Sequence, residues 1–222
     1  MSIRQGAELD HAFERNGWTA EDVKWLSKGD ILAIILRIRQ GTAKVVPIEP
    51  SKPAPKPEPK PLLIPRGETA VPLLAGLSFV VRTRFIRNIG NDAFVKISGL
   101  GNNFTDWFLG KTEETPSSSV LRYADLGRPS LDAPIIEALG GEGKAEITLT
   151  EVFTLMAVQP NGEKGALLTS GRANVFYVRD IDGALRAVYV DWLGDGWRVF
   201  AFAVADPDTW SAGFRVFSRN SR

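Results

Sequence analysis

The clearest hydrophobic pattern in the chain is an alternation of two kinds of residue over two short runs near its C-terminal end. Because a β-strand directs successive side chains to opposite faces, this period of two predicts a hairpin with two different surfaces. One face is small, branched or indole and suits a core: Val188, Val190, Trp192, Trp197, Val199, Ala201 and Ala203. The other mixes aromatic and charged groups: Tyr189, Asp191, Arg198, Phe200 and Phe202. The second face suits contact with another molecule, which indicates binding rather than catalysis.

Further β-structure is predicted upstream of this hairpin. Two β-rich runs in residues 174–190 meet at Asp182-Gly183, a dipeptide that tight primed turns prefer, so they form a second hairpin. Alternation predicts strands over residues 77–88 and 93–100, and a short strand at 120–123. Short helices are expected at 102–110 and 134–139, and residues 145–159 are assigned as strand through Leu149 and then helix. Residues 68–222 therefore form a mostly β domain.

The first 45 residues carry a helical period instead. Thr19 and Asp22 have the spacing of a capping box, which predicts a helix start. Residues 31–38 repeat isoleucine at helical spacing up to Gly41, and an earlier helix is expected over residues 8–15. Residues 1–45 are thus a small helical module. Two interpretations stay open: a helix-turn-helix unit that grips DNA, and a docking or dimerisation bundle.

A proline-rich segment separates the two parts. Residues 46–67 alternate proline with lysine and lack a hydrophobic period. Such a composition favours an extended polyproline-type spacer of about 3.1 Å per residue. We therefore predict a stiff linker at 46–67 between the helical module and the β-rich domain.

Composition narrows the function classes. The 222 residues carry a formal net charge of +1, which gives no global attraction to nucleic acid or anionic membrane. The absence of cysteine excludes disulfides, zinc–thiolate sites and a thiol nucleophile. The longest apolar run, Ile31 to Leu36, is too short to cross a bilayer, and the first residues lack the apolar core of a secretory signal. We expect no membrane span and, by default, a cytoplasmic location.

Candidate catalytic groups are few. The single histidine, His11, lies in the helical module, far along the chain from any serine–aspartate pair of the β-rich domain. Asp180 and Asp182 begin like a calcium loop but lack its later ligands, so they are interpreted as turn residues. Asp191 and Asp195 are the one carboxylate pair that fits a glycosidase. We expect no catalytic residue, no cofactor and no metal site, and the chain is predicted not to be an enzyme.

The last stretch resembles a known class of binding proteins. The string V-x-V-x-W-x-G-x-G-W-x-V, followed by P-x-x-W-x-x-G-x-R-V-F-S-R-N-S, runs from Val188 to Ser221. It resembles the C-terminal signature of a family from uncultured, small-genome bacterial lineages. Its pattern of fixed and free positions is similar to that of the variable proteins of diversity-generating retroelements. Gly213-Phe214-Arg215 is similar to the G-F-R strand that ends their lectin-like domain.

The resemblance implies a fold and a site. It implies an α+β chain whose domain at 68–222 is C-type-lectin-like, with a variable-type region at 187–219. A diversified surface would bind a protein or glycan partner, and nucleic acid is not expected. The implied ligand-binding residues are Tyr189, Asp191, Leu193, Asp195, Arg198, Phe200, Phe202, Asp206, Asp208, Ser211 and Phe214. The alternatives are a DNA-binding regulator that uses the N-terminal helices, and a glycosidase-like enzyme that uses Asp191 and Asp195.

Overall fold

The chain divides into two compact units, Met1–Pro57 and Glu58–Arg222. The computed structural model describes residues 3–26, 28, 31–46, 60–72, 77–115 and 118–219. Of the linker predicted at 46–67, residues 47–59 lie outside the described residues. Residues 63–67 belong to the first β-strand, so that end of the predicted linker is too long.

The first unit contains three helices: α1 (Ile3–Arg15), α2 (Ala20–Leu26) and α3 (Ile31–Arg39). The predicted capping box at the start of α2 is confirmed. The Thr19 N–H and hydroxyl donate to Asp22 Oδ2 at 2.9 and 2.6 Å, and the Asp22 N–H donates to Thr19 Oγ1 at 3.2 Å. Gly41 follows α3 with φ of +71°, as expected of a glycine that ends a helix.

The second unit is mixed α+β, which confirms the predicted fold class. Its helices are α4 (Val81–Arg84), α5 (Asn102–Phe108), α6 (Asp132–Ala138), α7 (Glu142–Ala145) and α8 (Leu149–Val158). Its strands are β1 (Leu63–Val71), β2 (Ser78–Val80), β3 (Ile97–Leu100), β4 (Thr112–Glu114), β5 (Ser119–Leu126), β6 (Asn174–Arg179), β7 (Leu185–Leu193), β8 (Gly196–Ala203) and β9 (Arg215–Arg219). Seven strands form one sheet in the order β1-β5-β9-β6-β7-β8-β3, and β2 pairs with β4 separately. Most neighbours are antiparallel, but β6 with β9 and β3 with β8 are parallel.

The seven-stranded sheet separates two hydrophobic clusters. On one face, α4, α5 and α8 pack over the sheet in a large aromatic-rich cluster that includes Phe85, Phe104 and Phe153. On the other face, α6 and α7 cover the part of the sheet built from β5, β9 and β6. In β7 this second cluster includes Ala187, which is fully buried. The members of the cluster that lie farther toward β8 are only partly buried. The second face is therefore incompletely covered over β7 and β8.

Buried carboxylates fix the start of α8. The Glu151 carboxylate accepts from the Thr148 N–H at 2.8 Å in a capping box, and also binds Ser119 of β5 and Arg219 of β9. Glu113 of β4 accepts from the Thr150 N–H at 2.9 Å. Both carboxylates occupy the end of the helix at which unpaired N–H groups favour negative charge. They tie α8 to three strands.

Three predicted strands are wrong in part. Of the run 93–100, only Ile97–Leu100 form a strand. In the run 77–88 only residues 78–80 form a strand, and Val81–Arg84 form a helical turn. The buried residues there include Val81 and Phe85, whose spacing of four suits a helical turn as well as a strand. The strand predicted up to Leu149 is only an isolated bridge between Glu146 and Tyr177. Among the described residues, no helix is long and apolar enough to cross a membrane.

Candidate functional site

The predicted C-terminal hairpin is confirmed as β7 and β8. The two strands pair antiparallel from Arg186↔Ala203 to Leu193↔Gly196. They are joined at Gly194-Asp195, where Gly194 has φ of +68°, a conformation that glycine adopts without steric cost. The hairpin before it is also confirmed, with β6 paired to β7 from Asn174↔Val190 to Arg179↔Leu185.

The face predicted to be core is buried at five of its seven positions, whereas Trp192 and Ala203 are only half-buried. Val188, Val190, Trp197 and Val199 have no exposed surface, and Ala201 is 2% exposed. The Trp197 indole N–H donates to the Gln159 carbonyl at 3.1 Å, which ties the hairpin to the end of α8. This face therefore anchors the hairpin, although Ala187 and Asp191 are also buried on the opposite face.

The opposite face carries a group of half-buried aromatic rings around Tyr189. We call this group the aromatic face; it comprises Tyr189, Phe200, Phe202, Trp210 and Phe214. The Tyr189 ring lies 5.8 Å from Phe200, 6.3 Å from Phe202 and 6.2 Å from Trp210, centroid to centroid. Edge-to-face and offset contacts at these distances are favourable for aromatic pairs. The rings hold one another in place and still contact solvent.

A polar group lies beside the aromatic rings. Asp191 is 1% exposed, and its carboxylate accepts from Arg198 Nε at 3.0 Å and from the Tyr189 hydroxyl at 3.0 Å. Arg198 also lies 5.7 Å above the Phe200 ring, as a cation–π contact. Burial, and then the charge of Asp191, raise the pKa of Tyr189 to about 12, so its hydroxyl stays protonated near neutral pH. These contacts fix the Tyr189 and Arg198 side chains.

Trp210 is anchored from below by a buried acid. Its indole N–H donates to Asp132 Oδ1 at 2.6 Å, and the Tyr177 hydroxyl donates to the same oxygen at 2.8 Å. Burial raises the pKa of Asp132, although the hydrogen bonds from Trp210 and Tyr177 oppose that rise. Its size suggests a core position beneath the hairpin, but Trp210 lies on the opposite face with Tyr189 and is only partly buried.

The outer edge of β8 is only partly paired. Alternate residues of a strand direct N–H and C=O groups to opposite sides. The backbone N–H and C=O groups of Trp197 and Val199 point toward β3. The Trp197 N–H donates to the Lys96 carbonyl, and the Val199 carbonyl accepts from the Gly101 N–H. Ala201 faces the same side just beyond the end of β3, where its carbonyl accepts from Asn103 Nδ2 at 3.1 Å.

A groove lies at this edge. It has a volume of about 430 Å³ and is lined by Leu100, Gly101, Asn102, Asn103, Phe200, Ala201 and Phe202. Its wall combines aromatic rings, two side-chain amides and backbone of the β8 edge. Apolar surface with a few convergent polar groups is the usual composition of a binding site.

The predicted ligand-binding residues fall into three groups in the structure. Leu193, Asp195, Asp208 and Ser211 are exposed. Half-buried positions are Tyr189, Arg198, Phe200, Phe202, Asp206 and Phe214. Asp191 is buried and paired, so a ligand cannot reach its carboxylate without displacing Arg198. Sequence reasoning missed Trp210, Asn102 and Asn103, and no local pattern marks the two asparagines, because only the β3–β8 pairing brings them to the site.

The geometry does not support the glycosidase and calcium-loop alternatives. Asp191 does not supply the accessible carboxylate that the glycosidase interpretation needs. Asp180 is a turn residue as predicted: it accepts from the N–H groups of Asp182 and Ala184 at 2.9 and 2.8 Å and from Arg186. Among the described residues no group of three or more acidic or histidine side chains is placed to hold a metal ion.

Comparisons with known proteins add no name to this geometry. No protein-family model, no curated protein and no solved structure matches the chain. The site must therefore be interpreted from its own contacts.

Proposed function

We propose that the unit Glu58–Arg222 is a non-catalytic binding module that recognises a protein or glycan through the aromatic face and the adjoining groove. The observation that carries the proposal is the incomplete cover over β7 and β8. Aromatic rings on this face remain in contact with solvent, next to a groove that is lined by two side-chain amides. Exposed aromatic surface of this kind marks interaction sites more often than chance.

The separation of the two hairpin faces supports a diversified surface. Apart from Ala187 and Asp191, the buried side chains of β7 and β8 lie on the face opposite the contact residues, so most contact positions can change without altering the core. The exposed positions Leu193, Asp195, Asp208 and Ser211 have the most freedom. As a finer proposal, the chain is a variable protein of a diversity-generating retroelement, with a lectin-like display domain. Asp191 is then a fixed position rather than a variable one, because its carboxylate is part of the structure.

The binding function can be tested with two defined probe sets. We expect the full chain to retain members of a glycan array or of a random-peptide display library. Phe202→Ala should abolish retention, because it removes a ring that lines the groove and contacts Trp210 at 5.6 Å. Ile181→Ala is the matched control, since Ile181 is 54% exposed in the turn between β6 and β7. Retention that survives Phe202→Ala and is lost in Ile181→Ala would refute the assignment of the site.

The finer proposal has a separate test. The gene should be sequenced from many sister cells. Substitutions should concentrate in codons 189–214 and spare the core positions Val188, Val190 and Val199. Substitutions spread evenly along the chain would remove the retroelement interpretation and leave the binding module untouched.

A further inference from the structure

The first unit is unusual in how little it buries. Ten of the nineteen exposed large hydrophobic side chains among the described residues lie within residues 3–46, although the second unit is much the longer. Among the residues of this range whose burial is described, Leu26 is the one buried hydrophobic residue. Units this small usually need a disulfide, a metal or an oligomeric partner to be stable. The chain has no cysteine, so no disulfide can supply that stability.

The exposed surface is concentrated on α3. None of its residues whose burial is described is buried. Its exposed large hydrophobic residues are Leu32, Ile34, Ile35, Leu36 and Ile38, between 36% and 58% exposed. A helix that is apolar all round is normally enclosed by other elements. The helices α1 and α2 leave the apolar surface of α3 exposed, so it is a candidate contact surface.

We propose that a second copy of the chain covers α3, so that the protein is a homodimer joined through its N-terminal helices. Most soluble oligomers are symmetric dimers in which the same patch is used by both subunits. An apolar helix suits this arrangement because its surface is complementary to itself. The inference does not rest on the binding function proposed for the second unit.

Charge favours a second copy as the occupant. The helices α1 and α2 carry the acids Glu8, Asp10, Glu14, Glu21 and Asp22, against three bases. The helix α3 carries no acid and has Arg37 and Arg39 in its last turn. In a two-fold pair, the basic end of each α3 can meet the acidic surface of the other subunit, and such complementarity fixes orientation.

The available surface has the right order of magnitude. Trp25 and Trp18 are 58% and 39% exposed. Together they offer roughly 240 Å² on the basis of about 250 Å² per tryptophan. The five half-exposed aliphatic side chains of α3 raise the total toward the roughly 800 Å² that each partner buries in a standard interface. We expect a dimer that assembles in the micromolar range.

Cysteine cross-linking gives the sharpest test, because the chain has no cysteine of its own. Ile35 occupies the centre of α3, where two antiparallel copies meet. We expect Ile35→Cys to form a covalent dimer under mild oxidation of the full chain. Val158→Cys, at a 64% exposed position of α8, is the matched control and should stay monomeric. Equal cross-linking of the two variants would overturn the proposal.

Sedimentation equilibrium provides an independent measurement. The full chain should approach twice its monomer mass across a concentration series from low micromolar upward. Ile34→Glu should raise the dissociation constant of the dimer at least tenfold, because it places a charge within the apolar contact. A wild-type chain that stays monomeric throughout would overturn the proposal. Monomeric chain that shifts DNA in a gel would overturn the proposal in favour of the helix-turn-helix interpretation.

Discussion

The buried carboxylate of Asp191 gives the sharpest prediction about the candidate site. Asp191 and Asp195 are close in sequence, and both belong to the predicted ligand-binding set. In the structure they differ completely: Asp191 is 1% exposed and paired with Arg198, whereas Asp195 is exposed in the turn of the hairpin. Substituting each by alanine therefore separates a structural role from a contact role.

The expected cost of Asp191→Ala follows from the groups that it leaves behind. Removing one partner of a buried ion pair costs about 3–5 kcal/mol, mostly because the other charge stays without compensation. The Arg198 side chain is 34% exposed, so water restores part of its solvation. The Tyr189 hydroxyl loses its acceptor as well, at about 1 kcal/mol. We expect the free energy of unfolding to fall by about 3–4 kcal/mol.

Urea unfolding followed by tryptophan fluorescence measures this change. The Asp195→Ala variant is the control and should stay within about 0.5 kcal/mol of the wild type, as is usual for exposed positions. A double-mutant cycle with Arg198→Ala isolates the pair and should give a coupling of about 2 kcal/mol. Equal m-values across the variants would show that the unfolded states are comparable.

Two results would contradict this reasoning. One is a loss below about 1 kcal/mol for Asp191→Ala, which means that the carboxylate is not engaged as described. The other concerns Tyr189, whose pKa of about 12 owes part of its rise to the charge of Asp191. In Asp191→Asn, absorbance titration should show the Tyr189 pKa lower than in the wild type; an unchanged value would contradict the contact.

Two further predictions concern buried acids elsewhere in the second unit. The raised pKa of Asp132 means that the folded state binds its proton more tightly than the unfolded state, so this residue lowers stability as pH rises from about 4 through its native pKa. Asp132→Asn should remove that fall in stability. In unfolding curves measured from pH 4 to 7, the free energy of unfolding of the variant should therefore rise relative to that of the wild type. Parallel pH profiles of the two proteins would contradict the prediction. Glu151→Ala should lower the free energy of unfolding by about 3 kcal/mol, because it removes the α8 cap and the partner of Arg219. The exposed Glu114→Ala is its control in the same urea assay, and an equal effect of both substitutions would contradict the capping role.

Local patterns predicted much of the secondary structure and of the hairpin. The Thr19–Asp22 capping box, the hairpin around Asp182-Gly183 and the alternation in residues 188–203 each depend on neighbours in sequence, and the structure confirms all three. The turn is not of the predicted primed type, because Gly183 has a positive φ and Asp182 does not. The start of α8 could also have been predicted from a local pattern. Thr148 and Glu151 have capping-box spacing, but the β-branched residues before them favoured a strand.

Contacts between distant residues could not be predicted. Trp210 is positioned by Asp132, 78 residues earlier in the chain, and its loop has no hydrophobic period that would reveal the face. Alternation placed Asp191 away from the core correctly, but it could not show that Arg198 and Tyr189 bury it there. The groove at Asn103 depends on the parallel pairing of β3 with β8, which no turn or spacing signals.

The position of β9 has a consequence for synthesis of the protein. This strand is the last in the chain, yet it lies inside the sheet, between β5 and β6. Until residues 215–219 have left the ribosome, β5 and β6 are separate edges and the sheet cannot close. A chain that stops anywhere between residues 187 and 214 exposes those edges, which are targets for aggregation and proteolysis. A chain without residues 215–219 therefore lacks the strand that joins β5 to β6, and its sheet cannot hold the aromatic face in place.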